Sequence, residues 1–298
     1  MIRGIDLRHL RYFVAVAEEL HFSRAAQRLG IAQPPLTQQI QKLEAALGHR
    51  LFERSSRRTA LTETGAVLLE EARQVLDRFQ RALDAARRAG RGETGRLTVG
   101  TPPSVMLSAL PKIIRRYRAR FPEVGFTLRE LSTSAIADAI DSGAIDLGFL
   151  REAPASEALA SEIVLREPVA VALASSHRLA RRVRLPLRAL AREPFVLFPR
   201  QLGPAFYDQF IGFCRDAGFS PHIVQEATQW QSVVAMVAAG VGVSLVPGCV
   251  RKIRWPGVVF RPLPNLTTTV SLCWKKGRTS PTMQTFLLLA RAGFTLPS

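Results

Sequence analysis

Between Leu7 and Gly48 the chain holds three short runs of apolar residues at helical spacing, each ended by a turn residue. Leu10, Phe13, Val14, Ala17 and Leu20 share one face of the first. Ser23 is placed to cap a second run, Ala25, Ala26 and Leu29, which stops at Gly30, a residue that tolerates the left-handed turn. Gln33-Pro34-Pro35 opens the third, through Leu36, Ile40, Leu43 and Leu47 to Gly48; proline is accepted there because first-turn amides lack intrahelical partners. Two short helices joined at a glycine, the second with a polar leading edge, form the helix-turn-helix arrangement that lays its second helix in the major groove of double-stranded DNA.

The polar edge carries the chemistry. Gln33, Thr37, Gln38 and Gln41 lie opposite the apolar stripe, flanked by Ser23, Arg24, Pro34 and Pro35. Glutamine makes bidentate contacts with adenine, and threonine offers a hydroxyl or a methyl to thymine. By pattern alone, a plain three-helix domain with solvated glutamines remains open.

The 298 residues suffice for more than one domain, and a net charge of +17 suits a partner rich in phosphate or other anions. The charge does not locate that partner. Residues 1–96 carry 17 basic and 11 acidic side chains and the remainder 24 and 13. Cys214, Cys249 and Cys273 are far apart with no paired spacing, so neither disulfides nor a structural metal is indicated and a reducing compartment fits. Arg3, Asp6, Arg8 and Arg11 precede any long apolar stretch, unlike a secretory signal. Ser232 to Val250 is uncharged, but Gly240, Gly242 and Pro247 break it, and it reads as a buried helix and strand rather than a membrane span.

Three runs together, His21 to Leu29, Ala32 to Ile40, and Leu43-Glu44 with Leu47-Gly48 and Leu51-Phe52-Glu53-Arg54, closely resemble the signature of the LysR-type transcriptional regulators. The resemblance extends over essentially the whole chain. It implies a bacterial, cytoplasmic regulator with a winged helix-turn-helix at 1–61, a dimerising linker helix at 62–90, a hinge at 91–96 and an effector-binding domain at 97–298. It assigns the wing to Phe52 through Leu61, where Arg54, Arg57 and Arg58 offer guanidinium forks to phosphates. It also implies tetramers built as dimers of dimers and contact with RNA polymerase at the promoter. Ala32, where the family often has serine, and Gln38, where arginine is common, depart from the pattern.

Thr62-Glu63-Thr64-Gly65 opens a long helix, with Thr62 placed to cap it. Leu69, Ala72, Leu76, Phe79, Leu83 and Ala86 follow in steps of three and four, a heptad seam that calls for a partner. A dimer suits paired half-sites on DNA. Packing of the stripe on its own domain is the alternative.

After the glycine-rich segment 90–95 the pattern becomes short β-branched runs alternating with helices, the mark of an α/β fold with parallel strands. Strands are expected at Leu97–Gly100, Gly125–Leu131, Ile145–Leu150, Val169–Leu173, Phe195–Phe198, Ile223–Gln225, Val243–Val246 and Thr269–Trp274. The family resemblance implies two Rossmann-like lobes akin to periplasmic binding proteins, lobe I at 97–166 and 268–298 and lobe II at 167–267. Ligands in open α/β sheets sit beyond the carboxyl ends of strands, where helix N-termini present free amides. That rule selects Thr101, Ser104, Ser132, Thr133, Gln201 and Thr228 for polar contacts, although helix capping is the alternative for each hydroxyl. Arg151 and Arg200, at two further strand ends, can fork a carboxylate, and Phe206 and Trp230 can meet an aromatic ring. A small organic anion is the expected effector, and the loops resemble the branch sensing aromatic acids and their ring-cleavage products.

Three other readings compete. A redox-sensing regulator would need a reactive cysteine pair, and these thiols lie in apolar runs. A solute-binding protein would lack the helix-turn-helix. An enzyme would need a catalytic motif, yet P-loop, HExxH and GxSxG are missing and His9, His21, His49, His177 and His222 are scattered. No cofactor or metal is expected.

Overall fold

The computed structural model describes residues 4–54, 59–153 and 156–295. Arg57 and Arg58 of the expected wing lie outside the described residues, as does the Arg54 side chain. The chain divides into two compact units, Met1–Arg87 and Arg88–Ser298.

The first unit opens with α1 (Leu7–Glu19), α2 (Phe22–Leu29) and α3 (Gln33–Leu47), followed by a hairpin of β1 (Phe52–Arg54) and β2 (Thr59–Leu61) and by α4 (Glu63–Gly90). Its core gathers Phe13, Val16, Ala25, Ala26, Leu36, Ile40, Leu43, Leu51 and Phe52. Ala72 of α4 belongs to the same core. Gly65 lets the helix approach this closely, since a Cβ there would lie 2.2 Å from the Leu51 carbonyl oxygen. Thr62 fastens the junction from both sides: its hydroxyl donates to the Arg50 carbonyl (2.8 Å) and accepts the Gly65 amide (2.9 Å).

The burial of Ala72 corrects the seam. Its side chain serves the helix-turn-helix core, so it is not available to a partner helix, while Leu69 is half-buried at the margin of that core. Farther along α4 Phe79 and Leu83 are 45% and 37% exposed, with Ala86 exposed beyond them.

The second unit runs β3 (Gly95–Thr101), α5 (Leu110–Arg120), β4 (Val124–Glu130), α6 (Thr133–Asp141), β5 (Leu147–Arg151), β6 (Leu159–Ala174), β7 (Pro194–Leu197), α7 (Pro204–Asp216), β8 (His222–Glu226), α8 (Trp230–Ala238), β9 (Ser244–Pro247), β10 (Val258–Lys275) and α9 (Pro281–Thr295). One sheet has the order β4-β3-β5-β10-β6-β9, and β7 pairs with β8 separately. Parallel pairing, expected throughout, holds for β3 with β4 and β5 and for β7 with β8. The long strands β6 and β10 instead run antiparallel to each other and to their neighbours. They are crossovers. On β6, Leu165 packs into one core and Val169 into the other; on β10 the change falls between Leu266 and Val270. Two apolar cores, one around Tyr117, Phe149 and Phe286 and one around Phe195, Phe210 and Val234, thus form two lobes that share a pair of strands.

Candidate functional site

In the first unit α2 and α3 meet at Gly30, whose φ of 69° is the left-handed conformation the turn requires. His21, not Ser23, caps α2: its ring Nδ1 accepts the Arg24 amide at 3.4 Å. Ser23 is one residue inside the helix, and its hydroxyl donates to Gln33 Oε1 at 2.7 Å, tying α2 to the first residue of α3. Arg24 folds back to donate to the Glu19 carbonyl at 2.6 Å. Pro34 and Pro35 occupy the exposed first turn of α3, whose cap Ala32 makes no side-chain bond. Gln33, Gln38 and Gln41 are exposed and Thr37 is half-buried, so one face of α3 presents amides and a hydroxyl while Leu36, Ile40 and Leu43 hold the other in the core. Such a face can donate to and accept from base edges.

The second unit holds a cavity of about 200 Å³ between its lobes, where strand ends and helix starts converge. From lobe I come Pro102, Pro103 and Ser104 after β3, Glu130 at the end of β4, Ser132 and Thr133 at the start of α6, and Arg151 at the end of β5. Lobe II supplies Phe198, Gly203 and Phe206 around the start of α7 and Thr228, Gln229 and Trp230 at the start of α8. Neither α7 nor α8 has a side-chain cap, so their leading amides are left for another acceptor. Phe198 stacks on Phe206 at 5.0 Å and meets Trp230 at 5.6 Å, making one wall aromatic. The lobes touch beside the cavity, where Ser134 Oγ donates to the Gln201 carbonyl at 3.0 Å.

Arg151 organises the floor. Its side chain is 2% exposed, its Nε donates to Ser104 Oγ (2.7 Å), and its Nη2 donates to Glu167 Oε1 (2.7 Å) and to Cys249 Sγ (3.3 Å). Glu167 Oε2 in turn accepts the Cys249 amide (2.6 Å), whose thiol donates to the Ser104 carbonyl (3.2 Å). Nη1 alone has no partner among the described residues, and the guanidinium carbon sits 5.1 Å from the Phe206 ring centroid. Because Ser104 spends a lone pair on Arg151, its own hydrogen is left to donate.

Seven of the ten expected pocket residues line this cavity: Ser104, Ser132, Thr133, Arg151, Phe206, Thr228 and Trp230. Three do not. Arg200 is exposed and forms a two-pronged pair with Asp208 at 2.8 and 2.6 Å, which also holds the Asp208 carboxyl below its usual value. Gln201 contributes only its carbonyl, to the interlobe bond with Ser134. Thr101 is fully buried, with its hydroxyl turned to the Pro102 carbonyl at 3.3 Å. Sequence reasoning missed Glu130, Phe198, Glu167 and Cys249. Glu130 and Phe198 were within reach of the strand-end rule, since one ends β4 and the other follows β7.

The thiols are unlike reactive ones. Cys214, Cys249 and Cys273 are all buried, and burial pushes each up to about 12. His177, one of the scattered histidines, bonds Glu193 at 3.2 Å through Nε2. No described helix is long and apolar enough to cross a membrane, and no group of metal-ligating side chains occurs among the described residues.

A helix-turn-helix with a polar recognition face, on the same chain as a two-lobed α/β unit enclosing a small cavity, defines a DNA-binding regulator with an effector-binding domain. The family model for the bacterial regulatory helix-turn-helix protein, lysR family, matches residues 7–66, and that for the LysR substrate binding domain matches residues 90–295. The chain therefore belongs to the LysR family of transcriptional regulators. It is 37% identical over 285 residues to the HTH-type transcriptional regulator AlsR of Bacillus subtilis (strain 168), covering 95% of this chain and 94% of that protein. The crystal structure of CbnR, a LysR family transcriptional regulator, superposes with a TM-score of 0.82 at 31% identity, covering 96% of this chain and all of that one. Full-length CbnR complexed with its target DNA gives 0.79 at 30% identity, covering 98% of this chain and 100% of that chain.

Proposed function

We propose that this regulator controls transcription in response to a small organic anion held between the two lobes of its effector-binding domain. The observation that carries this reading is the convergence on one cavity of the uncapped starts of α7 and α8, the free hydroxyl hydrogen of Ser104, and Arg151, whose Nη1 is buried without a described partner. All are donors, and donors gathered in one partly enclosed cavity favour an anion. The volume, about 200 Å³, suits a single ring with a carboxylate, given that a cavity of about 150 Å³ accommodates benzene. The aromatic wall of Phe198, Phe206 and Trp230 fits such a ring.

An anion bridging Ser104 and Thr133 of lobe I with the amides of lobe II has a differential affinity for one lobe arrangement, which is what a switch requires. The exposed seam of α4 at Phe79, Leu83 and Ala86 supports a homodimer through that helix, with dimers pairing into tetramers that engage RNA polymerase in the cytoplasm. Buried thiols with raised pKa values favour ligand control over redox control.

Calorimetry of the full chain with a panel of aromatic and aliphatic acids, run beside a promoter reporter, tests the reading. Saturable binding of a carboxylate that also changes reporter output is expected. Binding of neutral ligands alone would overturn it. Sequencing the genomic fragments the protein captures identifies the operator and its neighbouring genes.

A further inference from the structure

Anion recognition leaves one charged group of the pocket unused. Glu130, the last residue of β4, lines the cavity with an exposed side chain and forms no hydrogen bond or ion pair with any described residue. Its position is fixed by the sheet, since it pairs in parallel register with Thr101, immediately before the segment that delivers Pro103 and Ser104 to the same cavity. A carboxylate here is an acceptor that no described protein group engages, open to a donor on a ligand.

The charge balance sharpens the point. The Arg151 guanidinium is already matched by Glu167 at 2.7 Å, so what remains for a ligand is its Nη1 NH2 group, hydroxyls and helix-start amides, while Glu130 adds a carboxylate. One carboxylate is well served by those donors. A second carboxylate on the ligand would face Glu130 as a like charge, whereas a hydroxyl or amino group would satisfy it.

Resting on the reading of this cavity as the effector site, we infer that it takes a single-ring monocarboxylate bearing a hydroxyl or amino hydrogen-bond donor, and that Glu130 is the specificity-determining residue that receives that donor. The donor end is selected by an unpaired acceptor, and a site that hydrogen-bonds a hydroxyl discriminates more steeply than an apolar one.

Titration calorimetry of the full-length protein tests this with benzoate, the three hydroxybenzoates, the three methylbenzoates and the three benzenedicarboxylates. At one ring position the hydroxy acid binds at least about tenfold tighter than its methyl counterpart, and the dicarboxylate of the same geometry binds more weakly than benzoate. Glu130→Leu narrows the hydroxyl-to-methyl ratio to within about threefold, and Glu130→Gln improves dicarboxylate binding by about fivefold or more. Because Glu130 is exposed, both variants keep the wild-type melting temperature. If hydroxy and methyl acids bind alike at every position, or the gap survives in Glu130→Leu, the role of Glu130 is overturned while the anion site stands. If none of these acids binds, the single-ring anion reading fails, and this inference with it.

Discussion

Arg151 and Glu167 form an ion pair at 2.7 Å with side chains 2% and 8% exposed, and through Ser104 and Cys249 the pair joins both lobes beneath the cavity. Leaving either charge buried alone is costly, about 3–5 kcal/mol, whereas replacing both with apolar groups of similar volume is far cheaper. Glu167→Leu is expected to lose stability on that scale in urea denaturation, and Arg151→Met with Glu167→Leu to recover most of it. The double variant still loses carboxylate binding, because Nη1 and the orientation of Ser104 go with Arg151. Equal stability of single and double variants would contradict the pairing.

Thr133 stands at the start of α6, half-buried, with a hydroxyl that no described residue engages. Gly203 of the opposite lobe faces it, a Cβ there lying 3.6 Å from the threonine Cβ. Thr133→Val keeps the shape and removes the donor, so carboxylate affinity falls by about 1–2 kcal/mol while melting temperature and DNA affinity stay unchanged. Calorimetry and a DNA-binding assay on one preparation separate the two effects. A variant with full effector affinity removes Thr133 from the site.

Much of this was legible because periodicity and punctuation are local. The spacing of Phe13, Ala17, Ala25 and Ile40 fixes three helices, and the strand-end rule finds most of the pocket lining. What stayed hidden depends on distant partners. Val169–Leu173 and Thr269–Trp274 read as short buried strands because the rest of β6 alternates between half-buried and exposed positions and β10 is interrupted by Pro262, Pro264 and Asn265, the last at φ 66°. Arg200 has the same sequence credentials as Arg151; Asp208, one turn into α7, claims it. Ala72 fits the heptad as well as Leu83 does, and only the tertiary fold turns it toward the helix-turn-helix core.

That last distinction separates two kinds of variant on α4. Phe79→Glu with Leu83→Glu places charge where the seam is exposed, so sedimentation is expected to show smaller, folded species with operator affinity reduced by loss of the tethered partner. Ala72→Glu buries a charge in the core instead and is expected to destabilise the DNA-binding unit. An unchanged oligomer in the first variant would exclude the outer seam as the interface.

Acid should loosen the first unit at an identifiable point. Glu18 of α1 accepts from Arg73 of α4 and Arg28 of α2, both at 2.9 Å, and those bonds hold its carboxyl below the ordinary 4.5. A depressed pKa contributes stability that is present above the unfolded value and lost as pH falls through the folded one. Glu18→Gln should therefore lower the melting temperature of the DNA-binding unit near neutral pH, with the difference from wild type closing as pH falls below the ordinary 4.5 and through the lowered value. A difference that persists unchanged into strong acid would show that the pair contributes nothing through ionisation.

The recognition face offers the most direct test of DNA reading, because Ser23 and Gln33 are coupled. Ser23 Oγ donates to Gln33 Oε1 at 2.7 Å, which leaves the Gln33 amide NH2 group directed by the serine, while Gln38 and Gln41 have no such tether among the described residues. A pre-oriented amide loses less entropy on meeting a base edge, so Gln33→Ala should cost about 1–3 kcal/mol, concentrated at one base pair of the operator. Ser23→Ala retains the amide but frees it, and should cost less than Gln33→Ala at the same base pair. The Ser23→Ala, Gln33→Ala double variant should be no weaker than Gln33→Ala alone, since the serine acts through the glutamine. Fluorescence anisotropy on operators varied one base pair at a time, repeated across a salt titration, reads all three. These substitutions touch no phosphate-neutralising charge, so the salt slope should stay that of the wild type. Additive losses spread evenly over the operator, or a flattened slope, would mean that this edge meets the backbone rather than the bases.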